Sequence, residues 1–343
     1  MRAVLFGDPS PSLRWRAAVE LDGAGEEDEE VRAWRDDIDA NPAVRVLVER
    51  IKTTRSPQAM GYLLCRLAYL GYRGPGLASA VEAVFADQQP DGSWPVGRDD
   101  DQPPPKRRRG QAPAGLPRAE SYRMVTSQTV LPLRGIAAAG YATDPRAERA
   151  YEWLLRERLN DGSWTGSHKA DHGLDGRSSG EDPEYRKLNP GDGCRASTTG
   201  AVACFALHPE RSHSEAARVG VDHLLSQNIR RDASLGWEVS RLVGLERASG
   251  RFTFYVIHDL VFMLDLASRC GFSADDPRVG ELVNYLERMR GPYGLWEHPA
   301  HPQLSRWLTF DIECSLRRLA DGDWIGSEGP LSRTPAGRPR RRY

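Results

Sequence analysis

The chain has 343 residues, a formal net charge of −1 and a pI near 6.7. This length allows one large domain or two ordinary ones, and the near-neutral charge disfavours nucleic acid or an anionic membrane as a main partner. An apolar run of about 18 residues is missing and the first residues lack a signal-peptide pattern, so we expect a cytoplasmic protein without an integral membrane segment. Five widely spaced cysteines fit reduced thiols or a metal ligand better than a disulfide framework.

Apolar residues recur with a helical period along most of the chain, and alternating strand patterns are scarce. This pattern predicts an all-α fold with helices at 41–53, 59–72, 76–89, 124–140, 145–159, 197–207, 214–228, 254–270, 277–289 and 303–318. Three of these helices begin with an N-cap residue followed by proline: Asn41-Pro42, Asp144-Pro145 and Asp276-Pro277. Apolar helices alternate with helices that carry a charged face, which predicts an inner ring of buried helices and an outer ring exposed on one side.

One turn sequence is repeated. Residues 91–94 and 161–164 both read Asp-Gly-Ser-Trp, and each copy follows a predicted helix. Shorter copies end at Trp237 and Trp296. The four tryptophans are spaced by roughly 60 to 70 residues, which is typical of a helical repeat array with loop insertions.

These turns and the alternating helices resemble the terpenoid-cyclase and protein-prenyltransferase superfamily. Its α/α toroids carry Gln-x-x-x-Gly-x-Trp turns like the one from Gln88 to Trp94. The resemblance implies a toroid over residues 55–322, with residues 1–54 as a helical segment packing on it and residues 323–343 as a disordered basic tail. Within the toroid, we predict a mobile proline-rich insertion at 99–117 and a loop at the rim of the active site at 166–190.

An Asp-Gly-Cys motif at 192–194 is the sharpest chemical signal, because it leads into a predicted inner helix. In protein prenyltransferase β subunits such a motif supplies two zinc ligands, and a histidine on the next inner helix supplies a third. Carried over, Asp192, Cys194 and His258 would hold a catalytic zinc with one open position, where a substrate thiol would lose its proton. The structural alternative is a helix cap, a buried cysteine and a core histidine.

The resemblance also implies that the toroid binds an isoprenoid diphosphate. Basic residues near the motif would bind the diphosphate: Arg123, Arg186, Lys187 and Arg195. Two positions depart from the family pattern, since Asn189 replaces an expected lysine and Arg195 an expected aromatic residue. Inner-helix residues would line an apolar cavity, among them Tyr122, Thr126, Phe254, Tyr255, Trp307 and Phe310.

The leading hypothesis is therefore a prenyltransferase-like enzyme in which zinc activates a nucleophile that attacks an allylic diphosphate. A second hypothesis is a terpene cyclase that protonates a polyene. The family's Asp-x-Asp-Asp motif is missing from the sequence, and Asp311 and Glu313 on the last inner helix come nearest to it. A third hypothesis is a toroid that binds a small molecule or a protein without catalysis.

Overall fold

A computed structural model describes residues 2–94, 126–165, 193–227, 233–246 and 258–323, and it confirms the all-α class. In these ranges there are fourteen α-helices: α1 (Arg2–Phe6), α2 (Pro11–Arg16), α3 (Glu29–Ala40), α4 (Pro42–Thr53), α5 (Pro57–Tyr69), α6 (Gly76–Ala86), α7 (Thr126–Ile136), α8 (Pro145–Glu157), α9 (Arg195–Phe205), α10 (Glu215–Leu225), α11 (Trp237–Val243), α12 (Leu260–Arg269), α13 (Pro277–Arg288) and α14 (Ser305–Ala320). Two short strands, β1 (Ala233–Ser234) and β2 (His258–Asp259), pair in parallel. The predicted insertion at 99–117, the loop at 166–190 and all of the tail except residue 323 lie outside the described residues.

Six helices surround a central cavity: α2 with its π-helical extension Ala17–Leu21, α5, α7, α9, α12 and α14. Ring neighbours pack side by side, as α5 does on α7, α7 on α9, and α12 on α14. Buried residues cover almost all of α7 and α9, whereas α8 and α13 bury one face only. The predicted alternation of buried and half-exposed helices is therefore present. None of the helices in the described ranges combines the length and apolar character that crossing a lipid bilayer requires.

The N-terminal segment takes part in the ring. Arg16, at the end of α2, approaches Asp311 of α14 and lies over the Tyr69 ring of α5, with its guanidinium carbon 4.4 Å from the ring centre. Residues 11–21 therefore close the ring between α14 and α5. This goes beyond the predicted role of residues 1–54 as a segment that packs on the toroid.

Three of the four tryptophan turns share one geometry. Gly92, Gly162 and Gly294 have φ of 98°, 83° and 75°, a conformation that favours glycine. Two residues later stands a fully buried tryptophan whose indole N–H donates to a carbonyl of the preceding helix, at 2.7 to 2.8 Å. The backbone N–H of each tryptophan donates to a threonine hydroxyl of the next inner helix; these threonines are Thr129, Thr198 and Thr309. The turns therefore join outer to inner helices.

The turn at Gly236 differs from the other three. Gly236 also has a positive φ, of 78°, but its tryptophan comes one residue early, and Glu238 stands where the other turns have the indole. Trp237 is only partly buried, and Glu238 points into the central cavity. The N–H groups of Gly236 and Glu238 donate to the Asp259 carboxylate at 3.1 and 2.6 Å. The prediction of four equivalent turns is correct for three.

The short helix α11 follows this turn and contacts α5. At its far end, Tyr62 and Arg66 of α5 donate to the carbonyls of Arg241, Leu242 and Val243, which an isolated helix end would leave unpaired. The predicted helix at 254–270 begins only at Leu260 in the described part, because the Asp259 side chain caps it by accepting the Val261 N–H at 3.0 Å.

Candidate active site in the central cavity

The cavity inside the ring has a volume of about 290 Å³ among the described residues. Five carboxylates line it: Glu20, Glu238, Asp259, Asp265 and Asp311. Four arginines line it as well: Arg16, Arg73, Arg134 and Arg269. Aliphatic and aromatic side chains fill the wall between these charges, among them Ala68, Leu207, Val261, Phe262 and Leu266. The cavity is therefore amphipathic, whereas the sequence predicted an apolar aromatic lining.

Asp311 is the best-placed acid in this cavity. The Tyr69 hydroxyl donates to Asp311 Oδ2 at 2.8 Å, and Arg16 Nη1 lies 3.5 Å from Oδ1. Arg16 is held in place by its bidentate contact with Glu20, at 2.7 and 3.2 Å, and by the Phe310 ring, 4.5 Å away. Three elements of the ring therefore position one carboxyl group.

The electrostatic environment separates Asp311 from its neighbouring carboxylates. Burial is the main cause that raises the pKa of Asp311 to about 6; Asp265 and Glu20 contribute to this rise, whereas Arg16 and the hydrogen bond from Tyr69 oppose it. Burial also acts on Asp265 and Glu20, but their arginine partners outweigh it and lower both pKa values. Because the pKa values are shifted in opposite directions, Asp311 can donate a proton while Asp265 and Glu20 stay ionised. The three carboxylates that interact here come from three elements of the ring and not from one sequence motif.

Two further ion-pair clusters surround the cavity. Glu238 binds Arg134 at 2.6 Å and Arg241 at 2.7 Å, and all three side chains are buried. Asp265 binds two arginines in the same way, Arg269 at 2.9 Å and Arg318 at 2.6 Å. Because each carboxylate accepts charge-assisted hydrogen bonds from two arginines, both clusters are rigid and ionised.

Burial also raises the pKa of Asp259 to about 6, but the contacts of its carboxylate differ from those of Asp311. Its two oxygens accept three backbone N–H groups, those of Gly236, Glu238 and Val261. Its carboxylate therefore joins the turn at Gly236 to α12, and we do not assign it a proton-transfer role.

Of the three residues predicted to bind zinc, the structure describes two, Cys194 and His258. Asp192 lies outside the described residues, and Cys194 is the partly exposed N-cap residue of α9. His258, in β2, is only 3% exposed, and its ring makes no hydrogen bond to a described residue. Burial, aided by the charge of Arg195, lowers the pKa of His258 to about 4, so the imidazole is neutral. A thiol and a neutral imidazole are chemically suited to zinc. Within the described ranges, no three His, Cys, Asp or Glu side chains form a group that could hold a metal ion.

Of the other predicted site residues, Arg195, Trp307, Asp311 and Glu313 lie in the described ranges. Arg123, Arg186, Lys187 and Tyr255 lie outside the described residues, and Arg195 begins α9. Trp307 stacks on Tyr69 with ring centres 5.4 Å apart. It is not part of the described cavity lining, so its contact with the site is through Tyr69. Glu313 pairs with Arg290 at 3.0 Å on the outer side, away from Asp311. Of the two carboxylates proposed for the cyclase, only Asp311 lines the cavity.

Several cavity residues were not expected from the sequence: Arg16, Glu20, Tyr69, Arg134, Glu238 and Asp265. The available signal was a charged residue inside an apolar helix, as in Arg134 between Leu133 and Gly135 and Asp265 between Leu264 and Leu266. Because buried charges are retained only when paired, such positions indicate a shared polar site.

A second group of polar side chains outside the ring is structural. His298 Nε2 lies 2.7 Å from the Ser240 hydroxyl, the spacing of a nucleophile and its base. However, His298 Nδ1 accepts the N–H groups of Ala300 and His301, so in the neutral ring Nε2 carries the proton. His298 thus donates toward Ser240 and cannot take its proton.

Compared with known proteins, the chain matches no family model and no curated protein.

Proposed function

We propose that this protein is an enzyme that uses general acid catalysis in the central cavity, with Asp311 as the donor of a proton to an electron-rich double bond. The observation that carries the proposal is the Asp311 carboxyl group in the cavity wall, hydrogen bonded to Tyr69 and beside the ionised Asp265. Its pKa, about 6, suits a group that releases and regains a proton near neutral pH.

The proton balance of this step follows from the contacts of Asp311. The proton moves from the carboxyl group to a carbon of the substrate, which becomes a carbocation, and Asp311 becomes a carboxylate. Tyr69 and Arg16 then stabilise this carboxylate by a hydrogen bond and by opposite charge. When the product loses a proton from another carbon, the net proton count is restored and Asp311 is reloaded from water.

The substrate class follows from the wall of the cavity and from the resemblance of the tryptophan turns. Side chains such as Leu207, Phe262 and Leu266 offer apolar contact between the charged clusters. This arrangement favours a substrate with an apolar body, and the resemblance to terpenoid cyclases makes an isoprenoid the first choice. Protonation would start its cyclisation or double-bond shift.

Deuterium labelling tests this proposal. The purified protein is incubated in D₂O with linear isoprenoid alcohols and diphosphates of increasing length, and products are analysed by mass spectrometry. We expect a product that carries deuterium from solvent, formed by the wild type and lost in Asp311→Asn. Glu313→Gln is the matched control, because Glu313 lies on the same helix but outside the cavity. Undiminished turnover in Asp311→Asn would refute the role of Asp311.

A second candidate is the zinc-dependent prenyl transfer indicated by the sequence. One observation favours it: His258 is buried and neutral, and its ring makes no hydrogen bond to a described residue. A bound zinc would supply a Lewis acid that turns a thiol into a nucleophile. Elemental analysis of the wild type and of Cys194→Ala and His258→Ala tests this candidate. It fails if the wild type lacks stoichiometric zinc.

A further inference from the structure

Arg73 differs from the other arginines of the cavity. Arg16, Arg134 and Arg269 each contact a carboxylate at 2.6 to 2.9 Å. Arg73 has no carboxylate partner among the described residues: its guanidinium donates to the Tyr72 carbonyl at 3.3 Å and lies 6.0 Å from the centre of the Trp15 ring. Its charge is therefore available to a ligand of the cavity.

The position of Arg73 marks an opening of the cavity. Arg16 and Arg134 are 7% and 8% exposed, whereas Arg73, in the loop after α5, is exposed to solvent. Burial of part of the side chain lowers the pKa of Arg73 most, followed by the charge of Arg35, and the charges of Glu26 and Glu20 oppose this effect. Arg73 therefore lies between solvent and the cluster that holds Asp311.

The charges around the cavity are unbalanced. Six arginines are involved: the four that line the cavity, and Arg241 and Arg318, which bind lining carboxylates. Five carboxylates oppose them, of which Asp259 and Asp311 hold protons more tightly than usual. When Asp259 and Asp311 are protonated, the four lining arginines exceed the three ionised carboxylates of the lining, and this excess of positive charge attracts an anion.

We infer that the ligand of the central cavity carries an anionic oxygen group, a carboxylate, sulfate or phosphate, and that Arg73 binds this group where the cavity opens to solvent. The inference builds on the proposed function, because it places the remainder of an amphipathic substrate beside Asp311. It also differs from the sequence-based expectation, which assigned an anion to the basic residues around the Asp-Gly-Cys motif.

Anion binding tests this inference independently of turnover. Isothermal titration calorimetry at constant low ionic strength measures the binding of sulfate, of inorganic diphosphate and of acetate to the full chain. The variants are Arg73→Gln, Arg73→Lys and Arg45→Gln; Arg45 is an exposed arginine on α4 and serves as the control. Circular dichroism confirms that each variant is folded.

We expect saturable one-to-one binding to the wild type and to Arg45→Gln, at least tenfold weaker binding to Arg73→Gln, and an intermediate affinity for Arg73→Lys. Preference for sulfate and diphosphate over acetate would identify a phosphate-type group, and the reverse order a carboxylate. Asp311→Asn should bind the anion more tightly at neutral pH, because it removes a negative charge from the same cavity. Equal binding by Arg73→Gln and the wild type, equal weakening by Arg45→Gln, or no saturable binding would each overturn the inference, and none of these results depends on Asp311 being catalytic.

Discussion

The hydroxyl of Tyr69 donates to Oδ2 of Asp311 at 2.8 Å, across the contact between α5 and α14. Tyr69 is itself fixed by stacking on Trp307 and by the Arg16 guanidinium over its ring. Oδ1 of the same carboxyl group faces Arg16 Nη1 at 3.5 Å, so each oxygen of Asp311 has a donor from a different element of the ring. Tyr69 and Arg16 together therefore set the orientation of the Asp311 carboxyl group.

Replacing Tyr69 by Phe should raise the pKa of Asp311 above its present value of about 6, because the hydrogen bond from Tyr69 lowers it. Phe keeps the stacking on Trp307, so the fold should lose only about 1 kcal/mol for the missing hydrogen bond. Infrared titration of the carboxylic C=O band, identified by its absence in Asp311→Asn, measures this shift without a substrate. An unchanged midpoint in Tyr69→Phe would mean that Tyr69 serves packing alone.

Asp311 should also make the protein less stable as the pH rises. Its pKa is about 6 in the folded state, against an ordinary value of 3.8, so between these two values the folded state keeps a proton that the unfolded state has released. Its contribution to stability is complete below the lower value and is lost as the pH rises through about 6. The contribution of Asp311 to the free energy of unfolding changes by about 3 kcal/mol over this pH range.

We therefore expect the free energy of unfolding of Asp311→Asn, relative to that of the wild type, to be higher at about pH 8 than at about pH 4, by up to about 3 kcal/mol. Urea unfolding at both pH values measures the gain. Asp259 contributes a slope of the same sign and is retained, so part of the pH dependence should persist in the variant. Asp37→Asn, on the exposed face of α3, should show no such gain. A stability difference independent of pH would contradict the raised pKa.

Glu238→Gln should destabilise the fold strongly. The change leaves Arg134 and Arg241 buried beside a neutral amide, and breaking a buried ion pair in this way costs about 3 to 5 kcal/mol. Chemical denaturation measures the loss. The exposed Glu49–Lys52 pair provides the control, since Glu49→Gln should cost less than about 1 kcal/mol. Similar losses in both variants would show that the cluster at Glu238 is not a structural element of the ring.

Thr198→Val should cost about 1 to 3 kcal/mol, because the buried N–H of Trp164 loses the hydroxyl that accepts it at 3.0 Å. The shapes of the two side chains are nearly equal, so packing should change little. Thr53→Val is the matched control, as the Thr53 hydroxyl bonds a carbonyl at an exposed helix end. Thermal unfolding compares the two. A loss no larger than that of the control would refute the proposed joint between turn and inner helix.

The sequence by itself determined the helices and most of the turns. Local signals were sufficient there, because a helical period and an N-cap act within a few residues. Asn41, Asp144 and Asp276 all cap the helices they were predicted to cap. The repeated Asp-Gly-Ser-Trp sequences were read as turns that follow helices, and both turns indeed lie between an outer and an inner helix. One failure was also local: in the turn at Gly236 the tryptophan comes directly after the glycine, and this displacement of one residue puts Glu238 at the position of the buried indole.

Only the tertiary structure decided what the ring encloses. Glu20, Asp265 and Asp311 are far apart in sequence, and they meet because three ring elements converge on one cavity. Their pKa values separate through burial and through arginines contributed by other helices, and neither effect can be read from neighbours along the chain. The sequence predicted an apolar cavity because the inner helices are apolar on average. The tertiary structure gives it a charged wall, because the few charged residues of these helices can be buried only by facing one another.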